Sequence, residues 1–186
     1  LGITEIGDEA FNLNGTIISV VIPEGVTDIG SSAFNQCYNM TKVVLSSTVE
    51  YLGSDAFFGC VKLGDINLED ARITYYARKS LGGNRAMKTI TIPDVEGETV
   101  TLAGAFFMNM NLEEIVVDAR LGNCSSEFTL CPELKKITFN KPVSKLLNSC
   151  FSYLDKLEEI NFMDTVGEIG GYRAQRLPVP GPAQYR

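Results

Sequence analysis

Between residues 26 and 49 the apolar and small positions fall in a fixed order: Val26, Ile29-Gly30, Ala33-Phe34, Cys37, Met40, Val43, Leu45, then Val49. Almost every position between them is polar. The same order recurs along the chain, and one pair sets its register. That pair reads Ala10-Phe11, Ala33-Phe34, Ala56-Phe57, Ser80-Leu81, Ala105-Phe106, Glu127-Phe128 and Cys150-Phe151, in steps of 22 to 25 residues. A unit of this size has one apolar edge and no core of its own. It becomes stable only by stacking on copies of itself, so the pattern predicts a repeat solenoid.

Each unit predicts one short strand. Three residues past the aromatic position comes a small or polar slot: Asn14, Cys37, Cys60, Asn84, Asn109, Cys131, Leu154. Three further on comes an aliphatic: Ile17, Met40, Leu63, Met87, Leu112, Leu134, Leu157. Then follow the alternating runs Val20-x-Ile22, Val43-x-Leu45, Ile66-x-Leu68, Ile90-x-Ile92, Ile115-x-Val117, Ile137-x-Phe139 and Ile160-x-Phe162. Alternation of β-branched apolar and polar residues predicts a half-buried strand, here stacked in parallel, one per repeat. Pro23 and Pro93 close two of the runs, where a missing N–H ends a strand cheaply.

The stretch around each Ala-Phe pair is predicted to hold at most one turn of α or 3₁₀ helix. Gly7, Gly30, Gly53 and Gly170 share a position, which predicts a backbone conformation that a Cβ would oppose. Residues 73–81 and 93–105 depart from the frame and read as surface bulges.

Composition narrows the chemistry. A net charge of −7 and a pI near 4.7 argue against a nucleic-acid footprint or a basic membrane patch. No apolar run approaches a membrane span. The absence of histidine removes Ser-His and Cys-His catalysis and every zinc site that needs imidazole. Acidic residues such as Glu113, Glu114, Glu158 and Glu159 fall at variable, solvent-facing positions, so a two-carboxylate hydrolase is disfavoured. Three of the five cysteines (Cys37, Cys60, Cys131) fill one repeat slot and are expected to be buried and reduced. Cys124 and Cys131 are the pair near enough in sequence to suggest a bridge. No catalytic residue, metal or cofactor is expected. The chain opens on Leu1 in mid-pattern and reads as a fragment or a processed product.

The unit Met40-x-x-Val43-x-Leu45, preceded by Ile29-Gly-x-x-Ala-Phe-x-x-Cys37 and followed elsewhere by Pro, resembles the BspA-like (Treponema pallidum type) leucine-rich repeats. The resemblance covers about residues 1–170. It departs from the general leucine-rich repeat in placing Asn or Cys before the strand instead of after it. It implies a leucine-rich-repeat domain over residues 1–170, incomplete at both ends, with a parallel sheet on the concave face. Short turns, 3₁₀ segments or small strands would lie on the convex face, and residues 171–186 form a Pro-rich tail, linker or disordered end. It also implies a secreted or surface-anchored protein of host-associated bacteria or parasitic protists, with adhesion to a protein ligand and no catalytic residues.

Strand alternation then names the face that points away from the core. Its central residues are Lys42, Val44, Asp65, Asn67, Thr89, Thr91, Glu114, Val116, Lys136 and Thr138, flanked by Ser19, Val21, Glu159 and Asn161. This concave face is the expected site for a protein ligand, and none of its side chains is expected to matter for folding. The alternative is a spacer whose ligand is bound by another domain. Uncapped stack ends predict end-to-end self-association.

Overall fold

Short strands alternate along the chain between two ladders in the computed structural model, which describes residues 2–147 and 150–162. The even-numbered strands are the predicted ones: β2 (Ser19–Val21), β4 (Lys42–Val44), β6 (Asp65–Ile66), β8 (Thr89–Ile92), β10 (Glu114–Val117), β12 (Lys136–Phe139) and β14 (Glu159–Phe162). The odd-numbered strands form a second ladder on the return half of each repeat: β1 (Glu5–Ile6), β3 (Asp28–Ile29), β5 (Tyr51–Leu52), β7 (Tyr75–Tyr76), β9 (Thr101–Leu102), β11 (Leu121–Cys124) and β13 (Val143–Leu146). Among the described residues every pairing is parallel and joins consecutive repeats, as in Val20 to Val43 or Ile29 to Leu52. The solenoid of about seven turns is therefore as predicted, with one strand per turn on the even side and, of the turns, 3₁₀ segments or small strands expected opposite, small strands.

Each ladder is interrupted once. The even strands divide into β2-β4-β6 and β14-β12-β10-β8. The odd strands divide into β1-β3-β5-β7-β9 and the pair β11-β13, joined by the single bridge of Val100 to Leu121. Between the ladders lies one continuous core that includes Val26, Ile29, Phe34, Met40, Val43, Phe57, Leu63, Ile115 and Phe128, all fully buried.

The turn carrying the Ala-Phe pair is not helical. Its N–H groups alternate between two destinations. Ser32, Phe34 and Gln36 donate to Ser54, Ala56 and Phe58 of the next turn at 2.7–2.8 Å, whereas Ala33, Asn35 and Cys37 donate three residues back within their own turn. A helix would keep all of these bonds to itself. The alternation needs left-handed backbone at two points per repeat, and residues such as Ser32, Gln36, Asp55, Lys79 and Met108 supply it with φ of 54–64°. Each such residue costs about 1 kcal/mol or more, and the bonds between turns offset that cost.

The shared glycine position has a different cause from the one the sequence suggests. Gly30 and Gly53 are not left-handed. A Cβ on Gly53 would lie 2.5 Å from the carbonyl carbon of Gly30, and one on Gly30 would lie 2.7 Å from the Asp8 nitrogen. The backbones of adjacent turns simply pass too close for a side chain. Gly170 and the tail lie outside the described residues.

The two departures from the frame are also more structural than expected. Residues 73–81 contribute β7 and bury Ile73 and Tyr76 completely. Residues 93–105 bury Val95 and Val100, so the surface bulge shrinks to the exposed turn at residues 96–99. The 3₁₀ turn Leu68–Asp70, absent from the sequence reading, follows β6 at the interruption of the even ladder.

The slot before each even strand ties the turns together. The thiols of Cys37, Cys60 and Cys131 donate to the carbonyls of Phe11, Phe34 and Phe106 in the preceding turn at 3.1–3.3 Å. Asn109 makes the same link to Leu81 at 3.0 Å and accepts from the Asn84 N–H at 2.9 Å. Thiol and amide thus do one job, so the slot accepts either.

Candidate functional site

Nine of the ten residues of the predicted face stand on the even strands, in two rows, and Asn67 lies just past the end of β6. The first row carries the charge: Lys42 lies opposite Asp65, and Thr89, Glu114 and Lys136 are successive neighbours, followed by Glu159. The second row is Val44 on the early strands and Thr91, Val116 and Thr138 on the later ones, with Val21 beside Val44 and Asn161 beside Thr138. Inward partners such as Val43, Ile115 and Ile137 are fully buried. This holds the outward side chains on a rigid sheet.

The charges are paired across strands. Lys42 meets Asp65 at 2.7 Å, and Lys136 lies 3.4 Å from Glu114 and 4.0 Å from Glu159. Beside this face, Lys135 hydrogen-bonds Glu113 at 2.8 Å, and that bond holds the Glu113 carboxyl below its usual range. Of the carboxylates singled out by sequence, Glu113, Glu114 and Glu159 are thus matched by lysines. Exposed pairs of this kind contribute little to stability.

Asn67 departs from its predicted role. Its side-chain oxygen accepts from the Leu45 N–H at 2.7 Å, and its amide donates to the Leu45 carbonyl at 3.1 Å and to Asp70 at 2.8 Å. It continues the strand ladder with a side chain where β6 has ended. Asn67 is therefore a structural residue, because it satisfies backbone groups that the interruption would leave unpaired.

At that interruption the face is not flat. A shallow cleft of about 180 Å³ opens between β6 and β8, lined among others by Ile66, Glu69, Met87, Thr89 and Thr91. Sequence reasoning did not find it, since the repeat frame is unbroken at Ile66 and Ile90. The signal available was the step of 24 residues from Ala56 to Ser80, the first departure from 23, which spans the interruption between β6 and β8.

Two other groupings were also missed. Lys79 is clamped between the rings of Phe58 and Phe107, at 5.3 and 5.2 Å from their centres. Cys124, Glu127 and Cys150 converge in the interior, their ligand atoms within 4.8 Å of one another. Spacing alone suggested Cys131 as a partner for Cys124, but Cys131 occupies its repeat slot against Phe106, as the slot pattern predicts. The sulfur beside Cys124 belongs to Cys150, one turn on.

A family model described as BspA type leucine rich repeat region matches the chain in 6 copies, over residues 4–126 and 98–174. No curated protein matches. Among solved structures, a leucine-rich repeat protein from Bacteroides ovatus is similar at 25% identity and a TM-score of 0.57, over 82% of this chain and 45% of its own. The T. pallidum leucine-rich repeat protein is similar at 23% identity and a TM-score of 0.58, over 82% of this chain and 73% of its own. A leucine rich cell surface protein from Faecalibacterium prausnitzii is similar at 24% identity and a TM-score of 0.50, over 80% of this chain and 33% of its own. The chain thus spans less than half the length of two of these proteins. Among the described residues no helix is long and apolar enough to cross a membrane.

Proposed function

Since the chain belongs to the BspA-type leucine-rich-repeat family, we propose that it is a non-enzymatic protein-binding module, acting at the cell surface or outside the cell through its even-strand face. The observation that carries this reading is the face itself. An uncharged row containing Val44, Thr91, Val116 and Thr138 runs beside a row of matched charges, and the cleft at Ile66 and Thr89 breaks it near its centre. Binding energy concentrates at the middle of such surfaces, where apolar side chains are shielded by a polar rim. The similarity to a protein described as a cell surface protein supports the location.

The test is a variant carrying Val44→Ser, Asp65→Lys, Glu114→Lys and Val116→Ser, compared with the parent on immobilised extracellular-matrix and cell-surface proteins. The melting temperature should hardly change, because the four side chains face away from the core. Affinity should fall by roughly tenfold or more if these positions include the centre of the contact. A parent that binds none of these proteins, or a variant that binds as well as the parent, would favour the spacer reading.

A further inference from the structure

Five of the seven repeats keep the position before the aromatic small and inert: Ala10, Ala33, Ala56, Ser80 and Ala105. The last two place Glu127 and Cys150 there, 1% and 3% exposed. Cys124, the register partner of Leu146, lies at the buried end of β11, a position filled by Leu102 one turn earlier. The frame needs none of these three reactive groups, since the other turns pack without them. Yet the Sγ atoms of Cys124 and Cys150 stand 2.7 Å apart, inside the contact distance of unbonded sulfurs. A Glu127 oxygen accepts from the Cys124 thiol at 3.3 Å and from the Ser125 N–H. The other three thiols are all engaged with backbone carbonyls.

We propose that Cys124 and Cys150 form a reversible disulfide that staples the sixth turn to the seventh. A metal ion held by the two thiolates fits less well. Sulfurs on one tetrahedral zinc are separated by about 3.8 Å, given bonds of about 2.3 Å, and these sulfurs are already closer. The oxidant is a small-molecule disulfide such as oxidised glutathione. When the last turns open locally, the Cys124 thiol loses its proton to solvent and the thiolate attacks the small disulfide, releasing one small thiolate that takes up a proton from solvent. Cys150 then loses its proton to solvent and attacks the Cys124 sulfur, releasing the second. Two protein thiols are oxidised and one external disulfide is reduced to two thiols. The bond closes a loop across the β11-β13 pair, which is tied to the longer odd sheet by the single bridge of Val100 to Leu121. It would therefore reinforce the most weakly connected part of the odd ladder. The chemistry does not depend on the even-strand face being a binding site.

The experiment equilibrates the reduced chain with excess oxidised glutathione, quenches with acid, and counts thiols after denaturation alongside non-reducing peptide mapping. Expected are three free thiols and one linked pair of peptides containing Cys124 and Cys150. The oxidised form should melt several degrees above the reduced one, and Cys150→Ser should abolish the difference. Five free thiols, or linkages that draw in Cys37, Cys60 or Cys131, would overturn the proposal. So would a bound metal ion at one per chain that leaves both thiols unoxidised.

Discussion

In the first three turns the rings of Phe11, Phe34 and Phe57 stack face to face at 5.0 and 5.2 Å. In the last three, Phe106, Phe128 and Phe151 remain nearly parallel but stand 6.3 and 6.5 Å apart. The residues beside the rings differ accordingly: Ala10, Ala33 and Ala56 early, Ala105, Glu127 and Cys150 late. The even strands change in the opposite sense, from two or three residues in β2, β4 and β6 to four in β8 through β14. One frame therefore supports two ways of joining turns. Early turns rely on close aromatic and backbone contact at the Ala-Phe side, and late turns on a longer hydrogen-bonded sheet at the other. The cleft lies where one arrangement gives way to the other.

The largest effect that separates the two regions should come from the rings. Phe34→Ala or Phe57→Ala is expected to cost roughly 3–5 kcal/mol, from lost burial and the cavity left behind. Phe128→Ala removes an equally buried ring from a looser stack. Its cost should be smaller by a fraction of the about 0.5–1.5 kcal/mol that an aromatic pair contributes, since its pairs stand near the far end of the range for such contacts. Urea unfolding of the three variants measures this directly. Equal costs would mean that ring spacing plays no part in the difference between the regions.

A smaller effect should locate the junction. Asn109 donates to the Leu81 carbonyl and accepts from the Asn84 N–H, both buried, so Asn109→Ala strands that N–H, while the Leu81 carbonyl keeps the Asn84 side-chain amide as its donor. Leaving buried groups unsatisfied should cost about 1–3 kcal/mol. Asn109→Cys restores the donor, as Cys131 shows one turn later, but cannot accept through a carbonyl. Its stability should fall between that of Asn109→Ala and the parent. A Cys variant no better than the Ala variant would show that the link to Leu81 contributes nothing.

Much of this was legible because a repeat reports the same environment seven times. The even strands, the buried Met40, Leu63 and Leu112, and the slot shared by Cys and Asn all follow from side chains that recur in phase. The odd ladder was harder to see. Its strands are two residues long in the first five turns, and Asp28–Ile29 or Tyr51–Leu52 is too short to show alternation. The left-handed turn residues were invisible for another reason: Glu9, Ser32 and Gln36 are not glycines, and only the bonds from their neighbours to the next turn make the conformation worthwhile. Alternation groups the face residues together by direction alone, so Asn67 was not separable from them. Its task depends on β6 ending early, which no side chain in the repeat frame announces. The pairing of Cys124 with Cys150 was missed because one of them aligns with a run of alanines.

The slot itself offers the finest comparison, between turns joined by thiols and the junction joined by amides. Burial pushes the Cys60 thiol up to about 12 and the Cys131 thiol to about 11, and raises that of Cys37. Their unfolded value is near 9.0, so the folded chain holds these protons more tightly than the unfolded one. A raised value means that the stabilisation is complete below about pH 9 and is lost as the pH climbs toward the folded values. The melting temperature should therefore be flat from about pH 7 to 8.5 and decline above about pH 9, as thiolates become available only to the unfolded chain. The Asn slots at Asn84 and Asn109 have no proton to lose and contribute nothing to the slope. Replacing Cys60 by Ala should lower stability at neutral pH yet flatten the alkaline decline, so the two melting curves converge as pH rises. An unchanged alkaline slope in Cys60→Ala would assign the decline elsewhere, with the buried phenol of Tyr76 the next group to test.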